Sequence, residues 1–350
     1  MTKKNILIIQ GEILHYRKAL YNTLSNAYNV TVIHSGEATK TREDLYSEVI
    51  ISCYKLGPFY FQPKVIGEVI GGKYDAVVAM FDLRWLSNIV TSFINGKSKF
   101  VWWGPWITNK QITDRIRLSL MLRDNNSILY TTEAKEEFID RGISRDKLFV
   151  ANNTFDVGER QRSFDSSTKS TFIFVGSLDS RKQLELTLRA FSKIVTQVPD
   201  NIVFEIIGDG KEIDNIKNIV SELKIEDHVS FLGRINCVEM LKKHYETAYF
   251  SVSFGQAGLS VLQSLGYGVP FITKHNAISG GEKSNIIDGY NGYQCKDDVD
   301  VLASHMKKLL VNDKLARTMG ENAFNYYSEH ATIQNMADGF VDAIESKQVQ

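Results

Sequence analysis

Cysteine, long apolar runs and net charge are all scarce in this chain, and each scarcity removes a class of protein. Its three cysteines, Cys53, Cys237 and Cys295, lie far apart at no metal-ligand spacing, so neither a disulfide framework nor a zinc site is expected. Cys53 and Cys295 fall in or beside apolar strand-like stretches and read as packing residues. The longest uncharged stretch, residues 248–273, carries serines, glutamines, glycines and Pro270, and does not read as a membrane span. The opening MTKKNILIIQGE has only a short apolar run before Gly11 and Glu12, which reads as a first buried strand rather than a secretory signal. The expected location is therefore cytoplasmic. Lys and Arg number 41 against 41 Asp and Glu, and the basic residues form no stripe, so no nucleic-acid partner is expected. Also missing are a Gly-x-Gly-x-x-Gly after the first strand, which argues against a nicotinamide cofactor, and a serine elbow.

What is present is a rhythm. Short, continuously apolar runs alternate with amphipathic segments, as expected of parallel strands covered on both faces. The runs NILIIQ (5–10), NVTVIHSG (29–36), DAVVAMF (75–81), KFVWWG (99–104), SILYTT (127–132) and KLFVANN (147–153) read as strands, with helical patterns over 16–28, 63–71, 83–95 and 132–143. A polar stretch interrupts them, and the rhythm restarts with TFIFVGSL (171–178), NIVFEIIGDG (201–210), HVSFLGR (228–234), AYFSVS (248–253) and PFITK (270–274). Helices are expected over 181–197 and 209–223. The 350 residues thus predict an α/β protein of two Rossmann-like, doubly wound domains facing across a cleft. The boundaries expected are 1–155, a linker at 156–170, 171–314, and C-terminal helices at 315–350 crossing back to the first domain. The first 155 residues carry about +5 and the remainder about −5. A basic first half fits an anionic membrane surface or a phosphate-bearing acceptor as well as it fits ordinary charge scatter.

The strongest constellation is SVSFGQAGLSVLQSLGYGVPFIT, residues 251–273. A strand ends near Ser253, a turn holding Gly255 and Gly258 follows, and a helix begins near Leu259. Glycines let backbone approach a ligand, and a helix start offers free N–H groups to phosphate. Val261, Leu262 and Leu265 share one helix face, while Ser260, Gln263, Ser264 and Tyr267 share the other. A solvated face normally carries Lys or Glu, so this uncharged stripe should lie beneath something polar: a bound nucleotide sugar, or another element of the protein.

This segment resembles the donor-site motif of glycosyltransferase family 4, with Leu265, Gly268 and Pro270 where the pattern wants them. FVGSLDSRKQLELTLRAF (174–191) resembles the family's Val-Gly-x-Leu segment followed by Lys and a long helix. FEIIGDG (204–210), VSFLGR (229–234) and GGEKSNIIDGYNGYQ (280–294) are similar to further donor-side segments. The stretches 13–24, 123–143 and 147–156 resemble one branch of acceptor-side domains. The resemblance implies a GT-B-like, retaining, metal-independent transferase with no cofactor. It puts donor binding at Gly176, Ser177, Lys182, Gly208, Arg234, Phe254, Gly255, Gln256, Ala257, Gly258, Leu259 and Gln263, with Lys182 and Gln263 as the catalytic pair. Lys182 suits this role because a point charge neutralises a departing pyrophosphate; as a surface lysine in a helix's first turn it would be disfavoured by the dipole. The chain departs from the family pattern in having Gly255 and Gln263 in place of paired glutamates, Ser177 for a common arginine, and Pro105 for a histidine after the Trp-Gly step.

On the acceptor side, His15, Tyr16 and Arg17 follow the first strand, Asp82 and Arg84 follow DAVVAMF, and Trp103 and Gly104 lie in VWWGPW. Arg17 suits an anionic acceptor and the tryptophans suit sugar faces, although one or two belong in a core. DVD at 298–300 has the form of a metal-binding Asp-x-Asp, but its place before a helix favours capping. The partners implied are a nucleotide-sugar donor, a glycan or lipid-linked acceptor, and peripheral contact with an anionic membrane at the inner face of the cell. The competing readings are a degenerate transferase that binds without turnover and a nucleotide-sugar 2-epimerase.

Overall fold

The computed structural model describes residues 2–346 apart from Asn109, Asp124, Thr168 and Asn236. It divides into two compact units, Met1–Asn152 with Ile333–Gln350, and Asn153–Thr332.

In the first unit, β1 (Asn5–Ile9), α1 (Lys18–Ser25), β2 (Asn29–His34) and β3 (Ser47–Ile50) lead to a small antiparallel hairpin of β4 (Tyr54–Leu56) and β5 (Phe59–Phe61). Then come α2 (Pro63–Ile70), β6 (Ala76–Met80), α3 (Leu86–Ile94), β7 (Lys99–Trp103), α4 (Gln111–Met121), β8 (Asn126–Leu129), α5 (Thr132–Asp140) and β9 (Leu148–Val150). The parallel sheet runs β3-β2-β1-β6-β7-β8-β9. The continuous apolar runs predicted strands covered on both faces, and Ile6 to Ile9 and Val77 to Ala79 are all fully buried.

The second unit holds β10 (Thr171–Val175), α6 (Leu184–Ser192), β11 (Val203–Ile207), α7 (Ile213–Glu222), β12 (Val229–Gly233), α8 (Val238–Thr247), β13 (Ala248–Val252), α9 (Ser260–Gly266), β14 (Phe271–Lys274), β15 (Gly292–Cys295), α10 (Val299–Leu310) and α11 (Asp313–His330). Its sheet runs β12-β11-β10-β13-β14-β15. Phe172 at its centre stacks on Phe204 (4.3 Å between centroids) and Phe250 (5.0 Å). The last helix, α12 (Ile333–Glu345), belongs to the first unit, where Met336, Ala337 and Phe340 enter the core and Phe340 meets Trp103 edge-on at 4.8 Å.

Three expectations change. Residues 156–170 are not a free linker: Val157 and Phe164 are buried in the second unit, and a Cβ on Gly266 or Gly268 would meet them at 2.7 and 2.8 Å. Of the C-terminal helices only α12 joins the first unit, because α11 packs Ala323 and Tyr327 into the core around α9. Finally, α6 starts at Leu184 rather than 181, which moves Lys182 off the helix. The DVD acids do cap: Asp298 accepts from the backbone N–H groups of Asp300 (2.7 Å) and Val301 (3.0 Å) at the start of α10.

Candidate functional site

In each sheet the connections reverse direction once, between β1 and β6 in the first unit and between β10 and β13 in the second. Loops leaving the carboxyl ends of two such strands diverge, and the gap between them is where open α/β sheets take ligands.

In the second unit these loops are knitted by backbone hydrogen bonds. Gly176 N–H donates to the Ile207 carbonyl (3.0 Å), Leu178 N–H to Asp209 (2.9 Å), Gly208 N–H to Gly233 (2.8 Å) and Gly255 N–H to Lys182 (3.0 Å). Glycine is required for this approach. A Cβ on Gly208 would lie 1.8 Å from the Gly176 carbonyl oxygen, and one on Gly255 would lie 2.2 Å from that of Arg181. Gly258 differs, since nothing lies within 4 Å of where its Cβ would be.

Lys182 closes a 3-10 turn, Ser180–Lys182, capped by Asp179. The next residue, Gln183, is left-handed (φ 51°, ψ 41°), a conformation that a non-glycine residue holds at a cost. This kink turns Lys182 inward. Only 9 % of its surface is exposed, its ammonium lies 3.8 Å from the Cβ position of Gly176, and it makes no hydrogen bond or ion pair among the described residues. Burial lowers its pKa, an effect that the nearby Asp179 carboxylate opposes. Asp179 is itself held down to about 2, chiefly by hydrogen bonds from Arg181. A buried cation without a partner is costly to keep, and an arriving phosphate would satisfy it.

Three of the four residues of the uncharged stripe at α9 face protein, and Ser260 keeps partial exposure. Gln263 accepts a hydrogen bond from Tyr245 (3.3 Å), Ser264 donates to the Val269 carbonyl (2.8 Å) and Tyr267 to that of Val157 (3.4 Å). All three are buried, so the polar cover is Tyr245 and the segment once expected as linker. Phe254 and Ala257 are likewise core residues, whereas Gln256, Gly258 and Leu259 keep partial exposure. Ser177 is exposed and bonded to Asp179 (2.8 Å), and Arg234 is exposed at the end of β12. The structure therefore brings together Gly176, Lys182, Gly208 and the Gly255–Gly258 turn, and sets Phe254, Ala257 and Gln263 into the packing beneath them.

One further residue of this neighbourhood is not among those expected to bind the donor. Glu282 is 6 % exposed and accepts from Asn153 (2.9 Å), Ser279 (3.2 Å) and the Gly280 N–H (2.8 Å), and its charge acts on Lys182. Its sequence signal is the glutamate of GGEKSNIID, in the segment similar to the family's donor side.

In the first unit, the loops after β1 and β6 also meet: a Cβ on Gly11 would touch Trp85 at 2.6 Å. Arg17 is buried, its guanidinium 4.1 Å from the Trp103 ring centroid and bonded to Tyr130 (3.3 Å), with Nη1 unpartnered. His15 is exposed and Tyr16 half-buried. Arg84 pairs with Asp82 (2.6 Å). Burial pushes the Asp82 carboxyl up, but the hydrogen bonds from Arg84 outweigh it and hold the pKa low. Trp103 is fully buried against Phe340, so its ring offers no face to a sugar; the exposed ring is Trp106, which Arg117 approaches at 5.2 Å. Gly104 (φ +73°) lets Tyr130 pack at 3.0 Å. Among the described residues no cluster of three His, Cys, Asp or Glu side chains could hold a metal, and no helix is long and apolar enough to cross a membrane.

Residues 158–326 match the family model for glycosyl transferases group 1. N-acetyl-alpha-D-glucosaminyl L-malate synthase of Bacillus anthracis is 31% identical over 159 residues, which is 45% of this chain and 40% of that protein. Poly(glycerol-phosphate) alpha-glucosyltransferase of Bacillus subtilis is 26% identical over 266 residues, 71% of this chain and 39% of that protein. The chain thus spans about two-fifths of the length of these curated relatives. Among solved structures, HepE of Anabaena in complex with UDP superposes with a TM-score of 0.76 at 15% identity, covering 98% of this chain and 100% of that one. The fold is accordingly GT-B, with two Rossmann-like units.

Proposed function

We propose that the chain moves a sugar from a nucleotide donor to a glycan or lipid-linked acceptor, a reading supported by the match of residues 158–326 to the family model for glycosyl transferases group 1. The observation that carries this is Lys182: a nine-tenths buried, unpaired ammonium beside the Gly176 turn, at the reversal point of its sheet. It would take the donor phosphates, and Glu282 would hold it in place. Gly258 and Leu259 would offer backbone to the donor. Arg17 would clamp an anionic group of the acceptor, while the exposed Trp106 would take over the stacking role expected of Trp103. Transfer would proceed with retention and without a metal, the donor's own phosphate accepting the acceptor proton and the released nucleotide leaving with its charge on Lys182. Cell-surface polysaccharide synthesis is the setting that the acceptors named in the relatives suggest.

The test is a thermal-shift screen against UDP-, GDP-, dTDP- and CMP-sugars, with UDP-sugars first. One nucleotide class should stabilise the chain, and Lys182→Ala should abolish the shift without lowering the melting temperature of the free protein, since it removes a buried unpaired charge. Stabilisation that survives Lys182→Ala would remove the lysine from the site. Gln263, engaged by Tyr245, gives specific support to the second reading, a binding module, because it supplies no carboxylate. Tight nucleotide binding without turnover across a broad acceptor set would favour that reading.

A further inference from the structure

From Arg84 to Arg123 the chain carries seven Lys or Arg and a single acid, Asp114, with Asp82, the partner of Arg84, and Asp124 just outside the stretch. Asp114 lies on the inner face of α4, buried and bonded to Thr108 and Arg117, so it shows no charge to solvent. The outer face of α4 has the opposite of a solvated helix's usual composition. Ile112 (74 % exposed), Ile116 (46 %) and Leu122 (60 %) stand outward, and Phe93 of α3 (51 %) continues the apolar surface beneath the guanidinium of Arg123, 4.0 Å from its ring centroid. Around them Lys110, Arg115 and Arg123 are exposed, with no acidic partner among the described residues. Single exposed apolar side chains need no explanation, but two of them four residues apart on one helix, with Leu122 at its end and Phe93 beside Arg123, rimmed by one sign of charge, do.

We propose that this outer face of α4 docks on an anionic lipid surface. Ile112, Ile116 and Leu122 would enter the headgroup layer, and the three basic residues would meet lipid phosphates. A second copy of the chain fits less well, because a two-fold contact would place the basic rim against itself. The biological purpose rests on the reading of the acceptor as membrane-borne; the contact itself does not.

The test is sedimentation of the full chain with vesicles of phosphatidylcholine alone or mixed with phosphatidylglycerol. Binding should require phosphatidylglycerol and weaken with salt. Arg115→Glu with Arg123→Glu should lower partitioning at least about tenfold. Ile112→Ser with Ile116→Ser should lower it at unchanged melting temperature, these side chains being exposed. Equal binding to both vesicle types, no binding, or variants that bind like the parent would overturn the proposal. So would self-association of the chain that Ile116→Ser abolishes. Nucleotide binding and transfer to a water-soluble acceptor should be unchanged in both variants. A chain that binds vesicles but transfers nothing would therefore fail as a transferase and not as a membrane binder.

Discussion

Replacing Gly208 with alanine would drive a methyl group to 1.8 Å from the carbonyl oxygen of Gly176. Real Cβ contacts stop near 3.0 Å, so the two backbones must part by the difference, 1.2 Å. Gly208 also holds φ +150°, which L side chains rarely adopt. Overpacking and backbone strain each cost about 1–3 kcal/mol, and the atom met is backbone rather than a flexible side chain, so a loss of at least ~2 kcal/mol follows. For a unit of this size that lowers the melting temperature by about 4–8 °C. The displaced carbonyl belongs to the turn beside Lys182, and a misplacement of about 1 Å in a reactive site costs on the order of 100-fold in turnover. Gly258→Ala is the control. Its methyl meets nothing within 4 Å and its φ is ordinary, so melting should stay within about 1 °C while nucleotide affinity falls. Calorimetric melting and titration with the stabilising nucleotide measure both quantities. A Gly208→Ala protein with parental melting and affinity would refute the packing argument, and a Gly258→Ala protein that binds as the parent does would place the ligand elsewhere.

Burial depresses the Lys182 ammonium, and nucleotide phosphates should raise it again. Binding at alkaline pH should therefore take up protons, seen as a dependence of the calorimetric heat on buffer ionisation enthalpy that Lys182→Arg removes. Lys169 is driven down to about 7, first by burial and then by Arg317. The unfolded chain then holds a proton that the folded amine has released, so stability should rise with pH from about 7 until tyrosines ionise near 10. Chemical denaturation across that range should show the rise, and Lys169→Met should flatten it. Trp103→Ala should cost about 3–5 kcal/mol, whereas Trp106→Ala, 43 % exposed, should leave stability within about 0.5 kcal/mol and raise the KM for acceptor.

The strands buried on both faces were legible because their apolar runs are continuous, and β1, β6, β7, β10 and β11 lie where those runs do. The helix α4 was not. Its inner face holds Asp114 and Arg117 and its outer face holds isoleucines, which inverts the pattern that marks a buried stripe. The short strands β3 and β15 were visible only as the apolar stretches in or beside which Cys53 and Cys295 fall. At the donor side, sequence pointed to the glycines and to Lys182 but not to what the glycines pack against. Gly255 serves the Arg181–Gln183 turn, and that depends on a kink at Gln183 which no local signal announces. The α9 stripe was ambiguous for a physical reason: an uncharged polar face fits a ligand and a buried tyrosine equally well, and here Tyr245 takes Gln263. The two tryptophans of VWWG alternate across a strand covered on both sides, so both are buried.

The return of α12 to the first unit has a consequence for how the chain acquires its structure. Every residue of the second unit precedes Ile333, whereas the first cannot complete the core around Trp103 until Phe340 has been synthesised. Domains usually finish in the order in which they leave the ribosome. Here the order is reversed: the later unit closes first, and the earlier one waits with an apolar groove open. A chain released from the ribosome at residue 332 should carry a protease-resistant second unit and a protease-sensitive first, and should recover its first unit when α12 is supplied as a separate peptide.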